Sequence, residues 1–277
     1  MRFRRRVPSW RGIAPLLPED TFLTPEEYEG WRDLHTWDPG RDSDLAIDHD
    51  LSAAEWIGPL LTPGSFTVGM TAPRDYEAYA RIFFPFERTG LESDGQWSSE
   101  QIRWIDLART NGWVAHALME RETITSTSGT PVEPEHCSRS LSPEQQAALL
   151  AILARYTTST MGWFLLWDGF GNLSERAFGP RVPKLVHHVR NYFLLRGPLG
   201  SYGQFPDDPS YWWPDDRAWC LCTDTDFSWS YLAGSRECVD EVLRTPVADA
   251  METVADNPAC SGMDTVNDPQ GRVPRLP

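Results

Sequence analysis

The residues best suited to chemistry fall in one run, Tyr211-Trp212-Trp213-Pro214-Asp215-Asp216-Arg217-Ala218-Trp219, continuing to Asp224-Thr225-Asp226-Phe227-Ser228-Trp229. A strand over 218–226 puts Cys220, Cys222, Asp224 and Asp226 on one face and Trp219 and Leu221 on the other. Two carboxylates so spaced can contribute to holding Mg²⁺ or Mn²⁺, which take hard oxygen ligands. The competing reading is a strand that leaves the core through an acidic turn, with Asp216 and Arg217 pairing locally. Trp212 and Trp213 point to opposite sides of an extended chain, so one of them is a candidate exposed anchor beside Asp215, Asp216 and Arg217, with Trp229 close by in sequence. Tryptophan and arginine are the residues on which interfaces most depend. The alternative places both indoles in the core.

Other chemistries find little support. There is no GxxxxGK[ST], no GxGxxG after a strand and no GxSxG. Gly169-Phe170-Gly171 lacks the third glycine and a following helix. The histidines at 35, 49, 116, 136, 187 and 188 form no HExxH or HxH, and none has a zinc-type cysteine spacing. Asp48-His49-Asp50 sets an imidazole between carboxylates, in a polar stretch where solvation is the simpler reading. His187-His188 cannot both face one way if extended.

Composition narrows the partners. Asp and Glu number 40 against 25 Lys and Arg, a formal charge of −15. Such a surface repels phosphate backbones and anionic lipid, which argues against nucleic acid and membrane, and it favours a basic protein partner. Five arginines in the first eleven residues form a basic arm that reads as a solvated tail. Five cysteines without a CxxC pair, and no secretory signal, point to reduced thiols in a cytoplasm. No cofactor is indicated.

The elements that must position these residues are well marked. Thr24-Pro25-Glu26-Glu27, Ser52-Ala53-Ala54-Glu55 and Ser98-Ser99-Glu100-Gln101 fit capping boxes. Ser142-Pro143-Glu144-Gln145 opens a largely buried helix to about Tyr156, and Ser235 and Thr245-Pro246 open two more. Residues 76–84 alternate with period two until Pro85. Three runs, Trp163–Trp167, Tyr192–Arg196 and Ala218–Cys222, are too close for helical crossovers and predict antiparallel strands joined by loops. The class is α+β, a mainly antiparallel sheet with helices packed on one side. Residues 1–62 read as an N-terminal helical extension, 63–255 as the core domain and 256–277 as a flexible tail. Thr123–Ser142 reads as a surface loop.

Several of these segments are similar to known sequences. Tyr76-Glu77-Ala78-Tyr79-Ala80-Arg81, Arg103-Trp104, Trp163-Phe164 through Trp167-Asp168-Gly169-Phe170-Gly171, Arg196-Gly197-Pro198, Trp212 through Cys220 and Gly234-Ser235 resemble a group of conserved hypothetical proteins from actinobacteria. The resemblance runs from about Phe66 to Leu243. It implies a bacterial cytosolic origin and carries no activity and no catalytic residues with it. The functional expectation is therefore a non-catalytic, acidic protein-binding domain of the immunity or regulatory kind. The alternative is a metal-assisted hydrolase or transferase using Asp224 and Asp226, with a histidine as base.

Overall fold

The computed structural model describes residues 36–91, 97–121, 123, 136–187, 190–268 and 271. The helix expected after Thr24, the basic arm, His35 and His188 lie outside them. Among the described residues there are twelve strands: β1 (Ala46–Asp48), β2 (Ala78–Phe83), β3 (Phe86–Leu91), β4 (Trp97–Ile102), β5 (His136–Cys137), β6 (Met161–Trp167), β7 (Leu185–His187), β8 (Arg190–Pro198), β9 (Tyr211–Pro214), β10 (Trp219–Thr223), β11 (Trp229–Gly234) and β12 (Ala250–Thr253). The helices are α1 (Pro39–Asp42), α2 (Trp104–Asn111), α3 (Pro143–Leu153) and α4 (Arg236–Leu243), with short 3₁₀ turns between.

Nine strands form one antiparallel sheet in the order β1-β8-β6-β9-β10-β11-β2-β12, with β7 beside β8. A smaller sheet runs β4-β3-β5. This is the expected α+β class, and the three aromatic runs are the antiparallel strands the spacing demanded. Every residue of β2, β9, β10 and β11 is buried, so the central strands are covered on both faces. Their unbroken apolar runs have that cause.

The two faces are covered differently. Ala80, Ile82, Phe164, Leu195, Trp212, Trp219 and Leu221 pack with Leu107 of α2, Leu149 and Leu153 of α3 and Val239 and Val242 of α4. Tyr79, Leu165, Tyr211, Trp213, Cys220, Cys222 and Tyr231 pack instead with Ala54, Ile57, Leu61 and Val68 from 3₁₀ turns and loops, and with Ala259 and Met263. Residues 256–268, expected to be loose, thus lie across the second face as an irregular strap. Trp37 is fully buried and β1 joins the main sheet, so the described part of the N-terminal stretch is built into the same body.

Local signals explain most element ends. Ser142 and Gln145 form a reciprocal capping box and Pro143 takes the first turn of α3. Ser235 caps α4 by accepting from Cys238 N. Three expected helix starts differ. Thr245-Pro246 opens only a 3₁₀ turn, Pro246–Ala248, with no side-chain cap, before β12 begins at Ala250. Residues 98–101 pair with β3 as part of β4, because Glu87 and Arg88 oppose Gln101 and Glu100 across the ladder. Ser52 lies inside a 3₁₀ turn, Leu51–Ala54, capped by Asp50. The α2 helix begins only at Trp104, and its cap comes from far along the chain, where the Asp249 carboxylate accepts from Trp104 N at 2.6 Å.

Asp249 also gives stability a pH dependence. Its burial lifts the carboxyl to about 6, against the opposing pull of the Trp104 and Ile105 N–H groups. Burial likewise lifts Asp208, which accepts from Leu141 N at 2.9 Å, to about 7. A raised folded-state pKa means the folded chain holds its proton more tightly. These groups therefore favour folding most strongly below about pH 4, and that contribution is lost as pH rises through 6 and 7. The urea midpoint is expected to fall between pH 5 and 8, and Asp249→Asn to flatten part of that slope; a midpoint constant over this range contradicts it.

Candidate functional site

The β9–β10 turn joins two buried tryptophans to an exposed tip, and its neighbours decide which residues face solvent. Trp212 and Trp213 alternate as the sequence predicts, yet each is only 1% exposed. Trp212 stacks on Phe164 at 6.1 Å and meets Trp219 edge-on at 4.7 Å in the helix-covered layer. Trp213 lies beneath Trp56 at 5.9 Å in the other layer. With both faces covered, alternation delivers one indole to each layer and none to water. Trp229 is also core, its ring 3.5 Å from the buried Arg81 guanidinium. The expectation of an exposed anchor at Trp212 or Trp213 is thus corrected.

The tip is fastened through its carboxylates. Asp216 accepts from Thr157 Oγ1 at 2.8 Å, Thr158 N at 2.9 Å, Thr158 Oγ1 at 3.0 Å and Ala218 N at 3.2 Å. Partial burial opposes ionisation, but those donors hold its carboxyl below the usual range. Asp215 accepts from Ser159 Oγ at 3.1 Å and Arg196 at 3.3 Å. The expected local Asp216–Arg217 pair does not form, because the 157–159 segment supplies better-placed donors. Arg217 adopts φ +54°, a left-handed conformation that a non-glycine residue holds only when its surroundings impose it. Its carbonyl accepts from the Tyr76 hydroxyl at 2.9 Å. Burial keeps that phenol protonated by pushing its pKa well up.

Trp56 and Trp163, both half-buried, reach the surface beside this tip, as does the half-buried Tyr76. Cross-strand register sets Ala46, Arg196, Trp163 and Trp213 in one row. In it the Arg196 guanidinium lies 5.0 Å from the Trp163 ring; beside it, over Trp213, Trp56 holds the Arg217 guanidinium 5.1 Å from its ring. Asp48 follows Ala46 along β1 on the same face, and Asp50 and Glu55 flank the following 3₁₀ turn, while Asp44 precedes β1 and accepts from Gln204 Nε2 at 3.1 Å; none of the four has a cationic partner among the described residues. Their visible roles are toward uncharged donors: Asp48 accepts from Asp50 N, and Asp50 from Ser52 N. His49 is exposed between them. Sequence reasoning missed Trp56 and Trp163 as surface aromatics, since only strand register and the loop 51–57 bring them together.

Asp224 and Asp226 lie at the opposite end of the strands. β10 stops at Thr223, and the two residues form a turn in which Asp226 N donates to Asp224 Oδ1 at 2.9 Å. Arg190 bridges both carboxylates, at 2.9 Å and 2.6 Å, with its guanidinium 4.8 Å from the Trp167 ring. Burial raises the Asp224 carboxyl despite that arginine. The guanidinium stands where a dication would sit, and among the described residues no three His, Cys, Asp or Glu side chains are grouped to share one. Cys220 and Cys222 share a face as expected, Sγ to Sγ 3.6 Å, both fully buried.

The histidine that does find a carboxylate is one the sequence could not single out. His116 Nε2 meets Asp264 Oδ1 at 2.9 Å, while Nδ1 accepts from Leu118 N at 3.2 Å. An accepting Nδ1 puts a proton on Nε2, which then donates to Asp264. Glu120, in the same loop, accepts from Gly262 N and Asp264 N. This pair pins the C-terminal strap. His116→Ala would leave the buried Asp264 carboxylate short of a donor and is expected to cost about 1–3 kcal/mol in chemical denaturation; an unchanged midpoint would show the strap is held elsewhere.

Among the described residues no helix is long and apolar enough to cross a membrane. Compared with known proteins, the chain matches no family model, and no curated protein or solved structure is significantly similar to it.

Proposed function

We propose that the protein is a binding module that recognises a basic protein partner through the cluster of Trp56, Trp163, Arg196 and Arg217 and its acidic border. The observation that carries this reading is the arrangement itself. Half-buried tryptophans and stacked arginines form a centre, and Asp44, Asp48, Asp50 and Glu55 form a charged rim without neutralising cations. Aromatic and arginine anchors inside a polar rim are the anatomy of protein interfaces. A chain of charge −15 adds long-range attraction for a basic surface, which speeds encounter and weakens with salt.

The site differs from the one expected from sequence. Arg217 belongs to its centre and Asp215 and Asp216 lie at its edge, while Trp212, Trp213 and Trp229 serve as framework. The rival reading, a metal-assisted hydrolase or transferase at Asp224 and Asp226, has no observation in its favour, because Arg190 holds both carboxylates.

The test is affinity capture at low and moderate salt with the wild type and with Ala46→Arg/Glu55→Lys. Both substituted residues are exposed, so the fold is spared. A basic partner should be retained by the wild type at about 50 mM salt, inside a long screening length. The variant should retain it at least roughly tenfold less well, the loss expected from about 1.4 kcal/mol across the one reversed and the one added charge. Equal retention by both proteins, or no salt dependence, would refute the reading.

A further inference from the structure

The carboxylates bordering the proposed interface stand apart from several others on the surface. Arg103 and Arg109 hold Asp106, Arg155 holds Glu241, Lys184 holds Asp168 and Arg236 holds Glu252. Residues 44–55, by contrast, contain Asp44, Asp48, Asp50 and Glu55 and no lysine or arginine. Asp44, Asp50 and Glu55 are exposed and Asp48 is half-buried. Hydrogen bonds from Ser52 hold the Asp50 carboxyl below its usual range, so its charge persists. The chain carries its own complement to this rim. Its first eleven residues include Arg2, Arg4, Arg5, Arg6 and Arg11 and no acidic residue, a charge of +5. The whole chain carries −15, so residues 12–277 carry −20. Residues 12–35 join Arg11 to Thr36, where the described chain begins, eight positions before Asp44. That length of chain reaches up to about 80 Å, beyond the roughly 50 Å breadth of a domain this size.

We propose that the basic arm docks on the acidic rim of its own chain, so that a basic partner must displace it to bind. The proposal rests on the interface reading above and adds a competitor built into the same chain. Arginine suits this contact because its planar fork matches the two oxygens of a carboxylate. Exposed ion pairs are individually weak, but a tether holds the arm at an effective concentration in the millimolar range, where several weak pairs suffice. The arm meets carboxylates, leaving the Trp56 and Trp163 rings open.

The test compares the full chain with the full-length variant in which Arg2, Arg4, Arg5, Arg6 and Arg11 are all replaced by glutamine. Backbone ¹H–¹⁵N resonances are recorded at about 20 mM and about 500 mM sodium chloride, long and short screening lengths. Expected at low salt are differences between the two proteins over residues 44–55, unchanged on tenfold dilution and abolished at high salt. No difference there would overturn the contact, and a difference that disappears on dilution would assign it to a second copy instead. The partner-capture experiment then separates the two ideas. The variant should retain a basic partner at least roughly tenfold better than the wild type at low salt. Rim shifts with no partner captured by either protein remove the interface reading and leave the arm contact. A partner held equally by both proteins removes the competition and leaves the interface.

Discussion

Replacing Arg81 with methionine is expected to lower stability by roughly 3–5 kcal/mol, from the loss of two charge-assisted hydrogen bonds and the stranding of their acceptors. Arg81 lies on β2, is 1% exposed, and donates to Ala117 O at 2.5 Å and Met119 O at 2.8 Å. Its guanidinium also sits 3.5 Å from the Trp229 ring and 4.7 Å from the Phe83 ring. Methionine keeps much of the volume but leaves the buried Met119 carbonyl and the part-buried Ala117 carbonyl without this donor. Lysine should be nearly as harmful, because a point charge cannot span two carbonyls while stacking on an indole. The same loop carries His116 and Glu120, which hold the strap, so the second face should loosen with it. Urea denaturation followed by tryptophan fluorescence checks this; a loss below about 1 kcal/mol would mean the loop is held without Arg81.

Trp212→Ala should have a comparable effect, about 3–5 kcal/mol, as a cavity in the helix-covered layer. Phe164, Tyr202 and Trp219 all surround this indole, with Tyr202 at 4.8 Å. Its N–H has no partner, so the cost is packing and not a lost hydrogen bond. Trp212→Phe should consequently recover most of the stability. Trp163→Ala, on a half-buried ring at the proposed interface, should cost far less stability and yet weaken partner capture. If Trp212→Ala leaves the denaturation midpoint unchanged, the assignment of that residue to the framework is wrong.

The contrast between those two tryptophans shows where the sequence could be read and where it could not. Strands β6, β8 and β10 were legible because continuous apolar runs near prolines and glycine turns admit few other structures. α3 was legible from Ser142, Pro143 and Gln145, which act within one helical turn. Trp212 and Trp213 could be placed on opposite faces, but nothing local says that both faces are covered. That depends on Ile57, Leu61 and Met263, which reach the sheet from distant segments. Ser98-Ser99-Glu100-Gln101 satisfies a capping pattern, yet cross-strand pairing with residues 87–90 overrides it. His116 and Asp264 are 148 residues apart, so no spacing rule could join them. Asp224 and Asp226 invited a metal because the sequence does not reveal that Arg190 lies between them.

The central claim is that recognition takes place where Trp56, Trp163 and Arg217 meet the acidic rim. Oxidative footprinting of the chain in extract of its source cells, against the same chain in buffer, tests it most directly. The account predicts that Trp56 and Trp163 lose reactivity in extract at low salt and regain it at high salt, while Trp167 near Asp224 is unaffected. Protection confined to the Trp167 end, or no protection at Trp56 and Trp163 under either condition, would contradict it.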